Sequence, residues 1–335
     1  MSGAGRGPVR IGVLGCADIA RRRMLPAIAA CPDTKLVAVA SRDAERAEHT
    51  ARPYGCRAVH GYEALLADED VEAVYVPLPA ALHERWAAAA LDAGKHVLGE
   101  KPLALEGAGA RRLFDRAEEL GLALMENVMF LRHGQHEAVR KAVADGRIGQ
   151  LRGFRAEFTV PGRPDGDIRL SPRLGGGALW DTGVYPVRAA LHLLGPRLSV
   201  VGAHLGRDER YGVDTAGAAL LRTPEGVTAH LTFGLDHGYR SAYELIGERG
   251  RLTLDHAFTP RGDQVPRLRL ERSQGVEELV LEPEDQVAST VAVFAAAVRA
   301  GAAREAEDTL RQIELLENIA RASRTAPSPH AGKPG

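Results

Sequence analysis

Val9-Arg10-Ile11-Gly12-Val13-Leu14-Gly15-Cys16-Ala17-Asp18-Ile19-Ala20 is the stretch on which the fold turns. Val9 to Leu14 is a short apolar run that stops at a glycine, the pattern of a strand buried on both faces of a parallel sheet. A helix is predicted from Arg21 to Ala30, with Pro26 bending or restarting it. Written from Gly15, the turn reads G-x-A-x-x-A: a dinucleotide-binding fingerprint with Ala17 and Ala20 in the second and third glycine places. The turn glycine is kept, and alanine in the third place still lets helix and strand pack closely. Backbone N–H groups over Gly15, Cys16, Ala17, Asp18 and Ile19 are the candidates for holding a pyrophosphate, with Ala17 keeping it slightly further off.

Working outward, strand and helix signals alternate through the first 125 or so residues. Strands are expected at Leu36–Ala40, Ala73–Val76, His96–Leu98 and Leu122–Met125, with helices at Leu82–Ala93 and Ala110–Leu120 between the later ones. Asp43 is expected to cap the helix after the second strand. This alternation is the signature of an α/β Rossmann domain, a doubly wound parallel sheet. The second strand ends in Ser41-Arg42, where a carboxylate would bind a ribose 2′-hydroxyl; a hydroxyl beside a guanidinium instead suits a 2′-phosphate, so NADP(H) is expected over NAD(H). Beyond a helix at His136–Asp145 the strands crowd together: 151–160, 198–205, 216–222, 227–233, 242–246, 251–254, 267–271 and 277–281. One helix (Pro186–Leu194) interrupts them, and helices over 286–300 and 310–324 close the chain. The expected domains are 1–126, a cofactor-binding Rossmann domain; 127–324, an α+β substrate and oligomerisation domain with a large open mixed or antiparallel sheet; and 325–335, a Pro/Gly-rich disordered tail.

The length of 335 residues supports two domains, and 45% hydrophobic with 26% charged residues is ordinary for a soluble globular protein. A formal net charge of −1 provides no global attraction to nucleic acid or an anionic membrane. Cys16, Cys31 and Cys56 form neither a disulfide framework nor a paired metal motif. With no signal-peptide h-region and no membrane span, a cytoplasmic protein is expected.

Only five lysines (Lys35, Lys95, Lys101, Lys141, Lys333) stand among 43 basic residues. Lys101, in Gly99-Glu100-Lys101-Pro102 at a strand's carboxyl end, is therefore a chosen residue: lysine is the cation that gives up its proton. A second stretch, Gly175-Gly176-Gly177 followed by Asp181-Thr182-Gly183-Val184-Tyr185, places an acid and a phenol four apart at a helix start, on one face if both are helical. Ketone reduction builds alkoxide on oxygen and calls for a donor with a pKa near or above neutrality; tyrosine, at about 10, fits reduction better than oxidation. His133 and His136 have the spacing of two metal ligands but no supporting carboxylate or cysteine cluster, so no metal is expected. Arg21-Arg22-Arg23 is either an exposed helix face or, through Arg21, an anion contact for a diphosphate, with Arg163 and Arg169 as further candidates. Trp180 and Tyr239 are candidates for stacking on a base or sugar, or core aromatics.

These motifs resemble the glucose–fructose oxidoreductase / inositol 2-dehydrogenase / rhizopine-catabolism (Gfo/Idh/MocA) family from about Val9 to about Arg324. The marks are Gly99-Glu100-Lys101-Pro102 and Gly175 to Gly183; Ile11 to Ala20, Met125 to Leu131 and Gly166-Asp167-Ile168-Arg169 look most like the NDP-hexose 3-ketoreductases of deoxysugar biosynthesis. The resemblance implies that Lys101 lies near nicotinamide and substrate oxygen, that Asp181 contacts substrate and lysine, and that Tyr185 stands where the sugar-alcohol dehydrogenases have a histidine base. It adds Pro77, Leu78, Glu100 and Arg169 to the cofactor contacts, and Phe130 and Tyr239 to the substrate contacts. His83, just past that loop, is either a cofactor contact or a plain helix-start histidine. The function implied is NADPH-dependent reduction of the C3 ketone of a nucleotide-linked keto-deoxyhexose, with dTDP the nucleotide by analogy, in a homodimer or homotetramer joined through the C-terminal sheet. The alternatives are an NADP-dependent dehydrogenase of a free sugar, inositol or trans-dihydrodiol, and a non-catalytic NADP(H)-binding sensor.

Overall fold

The computed structural model describes residues 7–302 and 305–325. Of the expected tail, Thr325 closes the last helix and 326–335 lie outside the described residues. The chain divides into two compact units: Met1–His133 with Asp285–Leu310, and Gly134–Glu284 with Arg311–Gly335.

The first unit is built on six strands: β1 (Val9–Leu14), β2 (Thr34–Ser41), β3 (Arg57–His60), β4 (Ala73–Val76), β5 (His96–Glu100) and β6 (Leu124–Asn127). They are all parallel, in the order β3-β2-β1-β4-β5-β6. This is the doubly wound arrangement, in which ligands bind beyond the carboxyl ends where the winding reverses, here between β1 and β4. The strands read as continuous apolar runs because successive side chains enter two cores. Ile11, Val13, Tyr75, Leu98 and Met125 join one, with Leu25, Ile28, Phe294 and Val298 of the helices above them. Val74, Val76, Val97 and Leu124 join the other, with Leu91 and Phe114. Phe294 and Val298 belong to the helix Gln286–Ala300, so a segment expected in the second domain packs on the first unit's sheet.

The bend or restart expected at Pro26 is a change of helix type: a π-helical turn over Ala20–Met24 gives way to an α-helix, Leu25–Ala30, with the proline, which has no N–H to give, in its first turn. Asp43 caps the helix Ala44–Ala51, its Oδ1 accepting the Arg46 N–H at 3.1 Å. Sequence reading missed β3 and the short helix Tyr62–Leu66. β3 is a four-residue edge strand with mostly exposed side chains, so it carries no apolar run to detect.

The second unit holds eight strands: β7 (Leu151–Thr159), β8 (Ser199–Asp208), β9 (Val213–Arg222), β10 (Thr228–Gly234), β11 (Arg240–Gly247), β12 (Gly250–Asp255), β13 (Arg267–Arg272) and β14 (Gly275–Val280). Their order is β14-β13-β12-β11-β7-β10-β9-β8, antiparallel except for the parallel pair β10 and β7. It is the mixed sheet expected. One face buries Phe154, Phe158 and Phe233; the other leaves Arg155, Ala218, His230 and Thr232 exposed. Among the described residues no helix is long and apolar enough to cross a membrane.

Candidate active site

Beyond β1, Gly15 takes φ +120°, a conformation that side chains resist. A Cβ there would also lie 2.9 Å from Leu78 Cδ2 and 3.5 Å from the Pro77 carbonyl, so the turns after β1 and β4 touch only because residue 15 is glycine. Cys16 is buried, and its carbonyl accepts from Arg46 Nη2 at 3.0 Å. Ala17 and Ile19 open the helical segment, whose Arg21 N–H donates to the Ala17 carbonyl. Asp18 is exposed and pairs with Arg22 (2.5 Å) and Arg21 (3.7 Å). Arg21 is thus partnered within its own helix, by an exposed pair of the kind worth at most about 1 kcal/mol.

At the end of β2, Ser41 Oγ accepts the Asp43 N–H at 3.2 Å. Arg42 is exposed, and its charge acts on the Tyr62 hydroxyl, an oxygen that lies 3.8 Å from the Gly15 Cβ position. Burial raises the Tyr62 pKa, while the Arg42 and Arg46 guanidinium groups oppose the rise. Two cations and a hydroxyl therefore lie at this corner, and the carboxylate next to Arg42, Asp43, is spent on a helix cap. The donor set and the glycine cradle fit an adenine dinucleotide carrying a 2′-phosphate.

Lys101 follows β5 directly, and its peptide bond to Pro102 is cis. Three buried side chains hold this segment. Glu100 Oε1 accepts the Tyr75 hydroxyl and Asn127 Nδ2, each at 2.6 Å, and Oε2 faces the Lys101 N–H at 3.4 Å. Glu126 accepts the Leu103 N–H at 2.9 Å and the Thr309 hydroxyl at 3.1 Å. His83 places its two ring nitrogens on the Pro102 and Leu78 carbonyls. Glu100 and His83, expected as cofactor contacts, have their side-chain polar atoms engaged within the protein. Phe130, expected against the substrate, is fully buried in the first unit; the short helix Met129–Arg132 turns it inward and leaves it no surface to offer.

In the second unit the helix start is assembled by glycine and a remote acid. Gly177 (φ +125°) leaves room for Asp214 of β9, whose Oδ1 lies 2.5 Å from where a Cβ would be. Asp214 accepts the N–H of Leu179 at 2.7 Å, with the Ala178 N–H also favouring its charged form. Burial pushes its carboxyl pKa up, opposed by those N–H donors. A π-turn, Leu179–Gly183, then runs into the α-helix Val184–Leu194. Asp181 lies in the first and Tyr185 in the second, so the expected four-residue spacing crosses a junction of helix types. From Gly177 to Leu191 every residue is buried except Trp180, Asp181 and Tyr185.

Arg169 Nε donates to Asp181 Oδ2 at 2.8 Å, and its Nη1 to Asp167 Oδ1 at 3.3 Å. These carboxylates, Asp181 foremost, raise the guanidinium's pKa. Arg169 therefore orients Asp181, a role different from the cofactor contact expected of it. The Tyr185 ring meets Phe158 edge-on at 4.6 Å and Phe258 at 5.8 Å, aromatic contacts that fix its plane. Tyr239 is exposed, with its hydroxyl on Thr259 Oγ1 at 2.9 Å, and Arg163 is exposed in the loop before Arg169. His136 bonds the buried Tyr243 hydroxyl at 2.9 Å, a packing role. Among the described residues no group of three His, Cys, Asp or Glu side chains is placed to hold a metal ion. Sequence reading missed Arg46, Tyr62, Asp167 and Asp214. Only Asp167, two residues before Arg169, carried a local signal.

Two family models match the chain: an oxidoreductase family with an NAD-binding Rossmann fold over residues 9–128, and the Gfo/Idh/MocA C-terminal domain over 136–253. The chain belongs to the Gfo/Idh/MocA oxidoreductase family. Among its relatives is a dTDP-3,4-didehydro-2,6-dideoxy-alpha-D-glucose 3-reductase of Streptomyces antibioticus, 49% identical over 93% of this chain and 96% of that protein. One of Streptomyces violaceoruber with the same description is 49% identical over 94% and 95%. A solved structure of KijD10, a 3-ketoreductase from Actinomadura kijaniata in complex with NADP and TDP-benzene, superposes with a TM-score of 0.93 at 48% identity, covering 94% of this chain and 98% of that one.

Proposed function

We propose that this protein is an NADPH-dependent ketoreductase that reduces the C3 carbonyl of a dTDP-linked 3,4-diketo-2,6-dideoxyhexose. When bound, the reduced nicotinamide supplies the hydride. Gly15 to Ile19 hold the pyrophosphate, and Ser41 and Arg42 the 2′-phosphate. Lys101 and Tyr185 serve the ketone oxygen as it gains charge: the ammonium polarises it, and the phenol donates a proton. Asp181, fixed by Arg169, orients the sugar hydroxyls. Arg21, Arg163 and Tyr239 remain proposed contacts for the diphosphate and sugar.

The observation that carries this reading is the partial exposure of Trp180, Asp181 and Tyr185 on an otherwise buried helix segment, with Asp181 locked to Arg169. The substrate class rests on relatives that are 49% identical over nearly their whole length. The reading places the work in the cytoplasm, where thiols such as Cys31 and Cys56 stay reduced. It also assigns the sheet face bearing Arg155, His230 and Thr232 to contact with a second copy.

The test is loss of NADPH absorbance with dTDP-linked keto-deoxysugars, the corresponding free sugars, and NADH as control. Turnover is expected only with the nucleotide-linked ketone and NADPH, and Lys101→Ala and Tyr185→Phe should each abolish most of it. Equal turnover of free sugars would refute the substrate assignment.

A further inference from the structure

His83 lies in the helix Ala80–Asp92, is 2% exposed, and has a carbonyl oxygen on each side of its ring. Nδ1 is 2.7 Å from the Pro102 oxygen and Nε2 is 2.6 Å from the Leu78 oxygen. Carbonyl oxygens only accept, and a neutral imidazole has one N–H to donate. A neutral ring would leave a lone pair pressed against a carbonyl oxygen at one of these contacts; an imidazolium satisfies both. His96 in the same unit shows the opposite arrangement: its Nδ1 accepts the Ala123 N–H at 2.8 Å, so that nitrogen is unprotonated.

We infer that His83 is a positioning residue whose proton ties the Pro77–Leu78 segment to the Lys101–Pro102 segment. Both segments lie at carboxyl ends of neighbouring strands, β4 and β5, where an open parallel sheet binds its ligand. Leu78 packs against the Gly15 turn, and Pro102 follows Lys101 directly. The imidazolium thus couples a wall of the cofactor cradle to the backbone of the lysine.

Two charged groups face the ring. The Glu100 carboxylate favours the proton and the Lys101 ammonium opposes it. Burial opposes it most strongly, and the balance lies below the ordinary histidine value. The proton is therefore held in acid and released as the pH rises, and its release opens one of the two bonds. Losing one buried hydrogen bond weakens NADPH binding about five- to tenfold if the freed segment must be reordered by the cofactor. The inference goes beyond the sugar-reduction reading, because cofactor affinity and ring titration involve no sugar and stand or fall separately.

The experiment has two arms. Ring-nitrogen NMR of protein labelled with ¹⁵N-histidine is followed across pH, with the His83 signals identified by their loss in His83→Asn or His83→Gln. In parallel, NADPH affinity is measured across the same range for wild type and both variants. The 2′-phosphate of NADPH titrates with a pKa of about 6, but identically in all three proteins, and its ionisation strengthens binding as the pH rises. In support, both His83 nitrogens are protonated at the acid end, and wild-type affinity falls with rising pH relative to the variants. A purely structural role would lower stability without moving this profile. One neutral tautomer throughout, or parallel profiles in wild type and variants, overturns the inference.

Discussion

Replacing Asp214 tests whether the helix start bearing Asp181 and Tyr185 is held from β9. Asp214→Ala removes the acceptor of the Leu179 N–H, at 2.7 Å, and the negative charge that the neighbouring Ala178 N–H also favours. Loss of an N-cap costs about 0.5–2 kcal/mol, and each N–H stranded in the interior adds about 1–3 kcal/mol. Against this, the wild-type carboxylate is itself held in a poorly solvated place, as its raised pKa records, and that cost disappears with it. The net loss is about 2 kcal/mol. At about 2.1 cal/mol/K per residue, unfolding a chain of 335 residues carries an entropy of about 0.7 kcal/mol/K, so each kcal/mol moves the melting temperature by about 1.5 °C and a fall of about 3 °C is expected. Asp214→Asn keeps one acceptor oxygen and should lose about half as much. Because the Asp181 N–H bonds the Gly177 carbonyl at 3.0 Å within the first turn, fraying there misplaces Asp181, and kcat should drop about tenfold or more in the alanine variant. NADPH affinity should stay unchanged, since Gly15, Ser41 and Arg42 belong to the other unit. Scanning calorimetry, steady-state kinetics and NADPH titration supply the readouts. Wild-type kcat in the alanine variant, or a loss of NADPH affinity as large as the loss of kcat, would refute the reasoning.

Three further outcomes follow from the same structure. Arg42→Ala should weaken NADPH binding about ten- to a hundredfold and leave NADH binding nearly unchanged, as read by fluorescence titration, since only the 2′-phosphate loses a charge-assisted partner. Phe294→Ala should cost about 3–5 kcal/mol in denaturant unfolding, because this fully buried ring joins the helix Gln286–Ala300 to the first unit's core. Burial, with help from the Arg299 charge and against Glu72, lowers the His96 pKa below its ordinary 6.5. The unfolded chain therefore takes up the proton first, so His96's contribution is complete above 6.5 and is lost as the pH falls through that value toward the lower folded one. Melting temperatures recorded from about pH 8 to about pH 5 should show a shallower acid loss in His96→Asn than in wild type.

The first unit's sheet was largely legible because burial on both faces writes itself as apolar runs, unbroken in Ala73–Val76 and interrupted in Val9–Leu14 only by the exposed Arg10. β3 and Tyr62–Leu66 escaped for the converse reason: they are short, and β3 is mostly exposed. Lys101, Asp181 and Tyr185 stood out as residue types at element ends, where chemistry is carried. What holds them did not stand out, since Asp214 reaches the helix start across thirty-five residues and Glu126 reaches Thr309 across 183. Phe130 was misplaced because sequence shows that a residue lies beside a site but not which way its side chain turns. The packing of Gln286–Ala300 on the distant first sheet was equally invisible to local pattern.

The most direct measurement is the position of deuterium after turnover of the dTDP-3,4-diketo sugar with NADPH deuterated at the transferring C4 position. NMR of the product should show the label on C3, with the C4 ketone intact. Label on C4 of the sugar, or a product free of deuterium, would contradict the account.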